Sequence, residues 1–277
     1  MTPTLAELLA SAELPDSDTA RLDAELLLCH AIGKPRTYLR TWPERQPDAE
    51  QVRHFQALLS QRRSGVPVAY LLGEQGFWSL QLEVSEATLI PRPDTERLVE
   101  VALELGPAGP VEVLDLGTGT GAIALALAVE RPQWQLTGVD RITEAVALAQ
   151  HNAERLQVSN VTFQRSDWFS ELAEQRFNLI VSNPPYIAES DPHLQQGDVR
   201  FEPGSALVSG VDGLDDIRML VQQAPSHLHP EGWLLFEHGW QQADAVALLL
   251  REQGFEQVQS WRDLGGQQRV TGGQWRG

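Results

Sequence analysis

The sequence predicts an α/β fold in which a seven-stranded, mostly parallel sheet with an antiparallel edge hairpin follows a small all-α N-terminal region. Three observations carry that expectation. From residue 111 onward, apolar β-branched runs alternate with helical patterns at βαβ spacing, as in a parallel sheet covered on both faces. The last two such runs are joined only by a short Gly-rich link, so they should pair antiparallel at one edge. Residues 1–75 read instead as short helices. At 277 residues and 42% hydrophobic content, the chain can bury one large core, or a large and a small one.

Taken in order, the first helical pattern spans 18–32, where Leu22, Leu26 and Cys29 recur at i, i+4 and i+7. Asp16, Ser17 and Asp18 are its capping candidates and Gly33 its stop. The second, 48–63, aligns Val52, Phe55, Leu58, Leu59 and Arg62 on one side before Gly65. The period then changes to two. Trp78, Leu80, Leu82 and Val84 alternate with Ser79, Gln81, Glu83 and Ser85, which reads as a half-buried strand of a hairpin. A stiff link follows, Leu89-Ile90-Pro91-Arg92-Pro93-Asp94-Thr95-Glu96, whose Asp94 or Thr95 can cap a helix running through Leu105. Sheet strands are expected at 111–116, 135–139, 161–165, 177–182, 233–237, 257–261 and 269–273, with helices at 122–130, 143–156, 214–227 and 241–253. The resulting division is a helical domain at 1–75, a β-hairpin linker at 76–90 and a larger domain at 91–277.

Composition narrows the function classes. A single cysteine, Cys29, rules out an internal disulfide framework and a thiolate zinc cluster, and the seven histidines lack metal spacing, so no metal is expected. No stretch approaches the roughly 18 apolar residues of a membrane helix. The start of the chain carries Glu7 and Glu13 and lacks the basic, then apolar, pattern of a signal peptide. A cytoplasmic protein without a membrane partner is the expectation. The net charge of −17 disfavours a broad phosphate-backbone interface, which needs Lys and Arg, so no nucleic-acid partner is expected either. Arg36, Arg40, Arg45, Arg53, Arg62 and Arg63 make the first quarter the least acidic part.

The first sheet strand ends in Asp115-Leu116-Gly117-Thr118-Gly119-Thr120-Gly121 and runs directly into a helix. Alternate glycines let the backbone turn tightly and approach a ligand, and the helix start presents unpaired N–H groups. A lone Gly-x-Gly also serves ordinary turns. Here Asp140 closes the next strand 19 residues after Gly121, where a carboxylate can accept from ribose hydroxyls, and Asp167-Trp168 closes the third.

Asn183-Pro184-Pro185-Tyr186 follows the fourth strand, at the ligand edge of such a sheet. Each proline fixes its own φ and holds its predecessor extended. The Asn183 side-chain oxygen and the Pro184 backbone carbonyl are therefore two stiffly placed acceptors, with Tyr186 as a flat wall, a set that suits a planar NH2 group. Asn-Pro and Pro-Pro also punctuate plain turns.

Asp-x-Gly-x-Gly-x-Gly with a downstream acid resembles motif I of class I S-adenosylmethionine-dependent methyltransferases, and Asn-Pro-Pro-Tyr resembles their amino-methylating branch. Within it the chain is similar to the peptide-chain-release-factor glutamine methyltransferase (PrmC/HemK) family. That resemblance rests also on Phe77-Trp78-Ser79-Leu80, the Leu89 to Glu96 link, Ser166-Asp167-Trp168-Phe169, Asp191-Pro192-His193-Leu194 and the stretch from Gly197 to Pro203. It weakens from about Gly265. The resemblance implies a Rossmann-like methyltransferase sheet. It further implies S-adenosyl-L-methionine bound by Gly117, Thr118, Gly119, Thr120, Gly121, Asp140, Trp168 and Asn183, and a substrate glutamine held by Asn183, Pro184, Pro185 and Tyr186. The implied reaction is N5-methylation of the glutamine in the Gly-Gly-Gln motif of bacterial peptide chain release factors. A monomer is expected.

Two other classes share part of the pattern. A nucleic-acid methyltransferase acting on adenine N6 or guanine N2 uses the same tetrapeptide, but calls for a basic channel and a target-reading domain, neither visible in the sequence. A non-catalytic binding protein on this fold is expected to lose the glycine loop or the Asn, and both are intact. The chain also carries Gly265-Gly266-Gln267 and Gly272-Gly273-Gln274, which raises self-methylation. Both lie in or beside the expected edge hairpin, where a paired strand cannot easily thread into its own cleft.

Overall fold

A computed structural model describes residues 2–277. They form two compact units: residues up to Glu74 together with Pro192–Phe201, and Gln75–Asp191 together with Glu202–Gly277.

The first unit holds helices α1 (Leu5–Ala10), α2 (Ala20–Ile32), α3 (Arg36–Thr41), α4 (Ala49–Arg63) and α5 (Val68–Leu72). Thr4 with Glu7, and Asp48 with Gln51, form capping boxes that satisfy the orphan N–H groups opening α1 and α4. Gly33, at φ 63°, ends α2. Leu5, Leu27, Leu28, Phe55, Leu58 and Leu59 make its core. The expected α2 face of Leu22, Leu26 and Cys29 is not the buried one: Leu22 is 38% exposed, while Leu27 and Leu28 are fully buried. The apolar residues of this helix are spread round its axis and two acids, Asp23 and Glu25, lie on the buried side, so periodicity alone does not select its inner face. Each of these buried acids is paired with an arginine. Asp23 takes Arg62 Nε at 2.8 Å and Glu25 takes Arg36 Nη2 at 2.5 Å. The cap candidates also differ. Thr19 is the N-cap without a side-chain cap bond, and the Ser17 and Thr19 hydroxyls donate to Asp23, each at 2.8 Å. Arg62 Nη1 reaches Asp198 at 2.8 Å and so clips the Pro192–Phe201 segment to these helices.

The second unit opens on a two-stranded sheet of β1 (Glu74–Phe77) and β2 (Leu80–Glu83). Trp78, expected in a strand, occupies the turn at φ 56°. After α6 (Glu96–Leu105) come β3 (Glu112–Leu116), α7 (Ala122–Glu130), β4 (Gln135–Asp140), α8 (Thr143–Leu156), β5 (Val161–Arg165), β6 (Phe177–Ser182), α9 (Asp215–Gln223), β7 (Leu228–Glu237), α10 (Ala243–Gln253), β8 (Glu256–Arg262) and β9 (Gln268–Trp275). The helix expected over 214–227 stops at Gln223 and tightens into a 3-10 turn, Ala224–His227, because Pro225 has no N–H to continue the ladder.

Strand order is β5-β4-β3-β6-β7-β9-β8. β9 runs antiparallel between β7 and β8, so the hairpin is inserted with its second strand inward and β8 forms the edge. Side chains alternate between two cores. Val113, Leu179, Val181 and Leu235 face the α6 to α8 layer, while Leu114, Leu116, Ile180, Leu234 and Phe236 face the α9 and α10 layer. Full burial of each such side chain contributes about 1.5–3 kcal/mol. Gly272 and Gly273 serve this packing. A Cβ would meet the Leu235 side chain at 2.3 Å and the Phe255 Cβ at 2.9 Å respectively, so Gly272-Gly273-Gln274 is locked within a strand paired on both sides.

Register sets up the site. Leu116 stands opposite both Val139 and Ser182, and Ser182 opposite Phe236. The next residues, Gly117, Asp140, Asn183 and Glu237, therefore leave the sheet in one row at its C-terminal edge. Strand order reverses between β3 and β6, the place where such sheets open a crevice.

Candidate active site

A cleft opens at that reversal. Its walls include Gly117, Thr118, Gly119, Thr120, Asp140, Trp168, Asn183 and Pro185. Gly117, Gly119 and Gly121 take φ 74°, 54° and 83°, backbone that side-chain-bearing residues rarely adopt. Gly121 does not line the cleft; it precedes α7, and a Cβ there would stand 3.0 Å from the Phe163 ring.

Polar groups behind the loop hold its shape. Gly117 and Thr118 N–H both donate to Val139 O at 2.9 Å. Fully buried Asp115 accepts from Thr118 Oγ1 at 2.7 Å and Ala124 N–H at 3.3 Å through Oδ2, while its Oδ1 has no hydrogen-bond partner. Burial pushes its pKa up to about 7, against the downward pull of those two bonds. Asn152, also fully buried, donates to Thr120 O and Glu83 O and accepts from Glu83 N–H, tying the loop to β2.

Asp140 ends β4 half-buried, accepting from Gly119 N–H at 3.1 Å on one oxygen and Ile142 N–H at 2.9 Å on the other. Each oxygen keeps lone-pair capacity for a further donor. Trp168 sits at φ 52°, braced by Ser166, whose hydroxyl donates to Trp168 O at 2.7 Å. A Cβ on Gly117 would stand 3.3 Å from the Trp168 ring, so the glycine also makes room for the indole.

The Asn183 to Tyr186 turn splits. Asn183 and Pro185 face the cleft; Pro184 and Tyr186 are not among its lining residues. Ser182 anchors the turn by donating to Leu116 O at 2.7 Å. Asn183 Nδ2 donates to Thr95 Oγ1 at 3.2 Å, which leaves Oδ1 as the acceptor. The Tyr186 hydroxyl reaches Glu237 Oε1 at 3.5 Å, and Tyr186 O accepts from Gln242 Nε2 at 3.0 Å. The phenol thus belongs to a buried polar group rather than to the cleft wall. Burial, with the nearby Glu237 carboxyl, raises its pKa.

Several site residues escaped the sequence reading. Thr95, expected with Asp94 as a cap candidate, does occupy the N-cap of α6 but makes no side-chain cap bond; it lines the cleft and holds Asn183. Thr88, Ile142, Ser205 and Ala206 also line the cleft. Glu237 closes an apolar strand as Asp140 does, and that pattern is the signal by which it could have been found. Among the described residues no cluster of three or more metal-ligating side chains occurs, and no helix is long and apolar enough to cross a membrane.

Known proteins agree with this architecture. Residues 110–272 match a methyltransferase domain, and 7–73 match the PrmC N-terminal domain. Among solved structures, a methyltransferase from Pyrococcus furiosus superposes with TM-score 0.55 at 19% identity, over 79% of this chain and 96% of that one. The T. thermophilus 16S rRNA N2 G1207 methyltransferase, solved with AdoMet and guanosine, gives 0.53 at 22%, over 73% and 50%. At such identity these likenesses show the fold alone. The release factor glutamine methyltransferase of Pseudomonas aeruginosa is 62% identical over 272 residues, spanning 98% of this chain and 99% of the relative. That of Escherichia coli strain K12 is 53% identical over 266 residues, 96% of each. With likeness of this degree running through both the helical unit and the cleft-bearing sheet, the chain belongs to the release factor glutamine methyltransferase family.

Proposed function

We propose that this protein transfers a methyl group from S-adenosyl-L-methionine to N5 of the glutamine in the Gly-Gly-Gln motif of bacterial peptide chain release factors. It works as a monomer in the cytoplasm, without a nucleic-acid partner. One observation carries the reading: Asn183 stands at the cleft, in one row with Gly117 and Asp140, its Nδ2 tied to Thr95 and its Oδ1 left to accept.

The cleft fits the cofactor in its chemistry. Left-handed glycines expose backbone beside Asp140, whose lone pairs suit ribose hydroxyls, and the Trp168 ring offers a face for adenine. Bound there, S-adenosylmethionine supplies an electrophilic methyl group on a sulfonium. The chain's own task is the acceptor. An amide nitrogen is a poor nucleophile because its lone pair is delocalised into the carbonyl, the resonance behind the roughly 18–20 kcal/mol peptide rotation barrier. Asn183 Oδ1 at the cleft and the Pro184 carbonyl just behind its wall would take the two N–H bonds and aim that lone pair. Such bonds are worth only about 0.5–1.5 kcal/mol each, whereas alignment of two reactants can lower a barrier by roughly 7–11 kcal/mol, so positioning dominates. The surplus proton leaves the nitrogen after transfer. Residues 1–75 serve recognition of the protein substrate, since a single glutamine side chain offers too few contacts for useful affinity.

Intact-mass analysis tests the reading. A release factor incubated with enzyme and cofactor should gain one methyl group at its Gly-Gly-Gln glutamine, and the enzyme alone should gain none. Labelling of the enzyme alone, or of DNA but not the release factor, would sink the assignment.

A further inference from the structure

Behind Asn183 lies a buried acid that the mechanism above does not use. Glu237 ends β7 at 1% exposure, in the same row as Asn183. The Tyr186 hydroxyl stands 3.5 Å from its Oε1, and its Oε2 is buried without a hydrogen-bond partner. Hydrogen bonding from the Thr95 side chain favours the ionised form of this carboxyl, and Thr95 Oγ1 accepts from Asn183 Nδ2 at 3.2 Å. A half-satisfied buried carboxyl is costly where a neutral or apolar side chain could stand, so its presence asks for a reason. Glu237 is not among the cleft-lining residues, so whatever it does is done through Thr95 and Tyr186.

We propose that Glu237 and Thr95 are positioning residues for methyl transfer, fixing which end of the Asn183 amide faces the acceptor nitrogen. The proposal rests on the reading of Asn183 given above. Proton counting supplies the logic. A hydroxyl has one proton, so when Thr95 directs it to an ionised Glu237, its oxygen can only accept from Asn183. Nδ2 is then committed to Thr95 and Oδ1 to the substrate. If Glu237 takes up a proton, the carboxyl can donate to Thr95, and Thr95 can donate to Asn183. The amide is then free to reverse and to set its N–H against the substrate's own N–H, donor against donor.

The charge state of Glu237 is therefore coupled to turnover. Burial pushes its pKa up to about 7, opposed by Thr95, by the positive Arg269 from β9 and by Tyr186, and reinforced by Asp94. Arg269 is itself shared between Asp94 at 3.2 Å and Asp263 at 3.4 Å. The adjoining His238 turns away to Thr271 Oγ1, at 2.7 Å, and to Gly239 O, and burial lowers its pKa.

The test is a single-turnover rate of methyl transfer to a release factor at saturating cofactor, over a range of pH, alongside the cofactor's dissociation constant by calorimetry. The wild type should lose rate as pH falls through neutrality. Glu237→Gln should be slower at its plateau by about tenfold or more, the factor that one hydrogen bond represents, and should lack that acid limb. Its affinity for S-adenosylmethionine should stay within about twofold, a separation that loss of fold would not give. Thr95→Val should behave likewise, and Thr95→Ser, which restores the hydroxyl, should recover the rate. A Glu237→Gln enzyme with wild-type rate and pH profile overturns the inference, as does one whose cofactor affinity falls in step with its rate. A wild type that leaves the release factor unmodified overturns the proposed function as well, so the two failures are distinguishable.

Discussion

Asp115→Asn should make the protein more stable at alkaline pH, and the gain should shrink as pH falls. Burial raises the Asp115 pKa from 3.8 to about 7. A folded pKa above the unfolded one means that the native state holds the extra proton between those values, so stability is lost as pH rises through that window. At one pKa unit per 1.36 kcal/mol, the titratable carboxyl costs roughly 4 kcal/mol at pH 8 relative to a side chain that is always neutral, but only about 1.5–2 kcal/mol at pH 5, where the native state keeps it protonated. Asparagine keeps an oxygen for Thr118 Oγ1 and Ala124 N–H, and places its amine where Oδ1 has no partner. That unsatisfied donor costs about 1–3 kcal/mol at either pH. The variant should thus gain about 1–3 kcal/mol at pH 8 and be close to neutral at pH 5. Urea unfolding of both proteins at the two pH values measures this. The difference between the two ΔΔG values, about 2–3 kcal/mol, is independent of the amide penalty. A difference near zero, or of opposite sign, would refute the buried charge as the cause.

Three further outcomes follow from the site and its support. Asn183→Ala should slow methyl transfer by at least about a hundredfold through lost alignment, with the fold retained and cofactor affinity weakened only in part; near-normal turnover removes the tetrapeptide from the mechanism. Asp140→Ala should act chiefly on cofactor affinity, by about 1.5–3 kcal/mol for a charged hydrogen-bonding group, and an unchanged dissociation constant in calorimetry would contradict the ribose assignment. Arg62→Ala leaves the buried Asp23 charge with only the Ser17 and Thr19 hydroxyls and frees Asp198, a loss of about 3–5 kcal/mol for a buried pair broken on one side. Proteolysis of the Pro192–Phe201 segment should accelerate in that variant, and an unchanged cleavage rate would mean that other contacts hold it.

Sequence alone determined the parts of this protein that are written locally. The seven strands and the sheet helices were legible because β-branched runs, 3.6-residue periods and βαβ spacing act over short distances, and β5, β6, α7 and α8 fall within the residues expected for them. Gly117 to Gly121 and Asn183 to Tyr186 were legible for the same reason, since glycine and proline dictate their own backbone. Only the tertiary structure decided what depends on partners distant in sequence. The inward face of α2 buries Leu27, Leu28 and Ile32 together with Asp23 and Glu25, whose partners Arg62 and Arg36 come from other helices, so its apolar period alone did not mark it. Thr95 stands at the N-cap of α6 as its place in the sequence suggests, but its hydroxyl is turned to Asn183, 88 residues on, instead of to the helix. Glu237 stands beside Tyr186 because parallel register aligns Ser182 with Phe236, a pairing that no local pattern encodes. A residue's backbone preference travels with it along the chain, whereas a hydrogen-bond partner or a desolvated charge exists only once distant strands have closed around it.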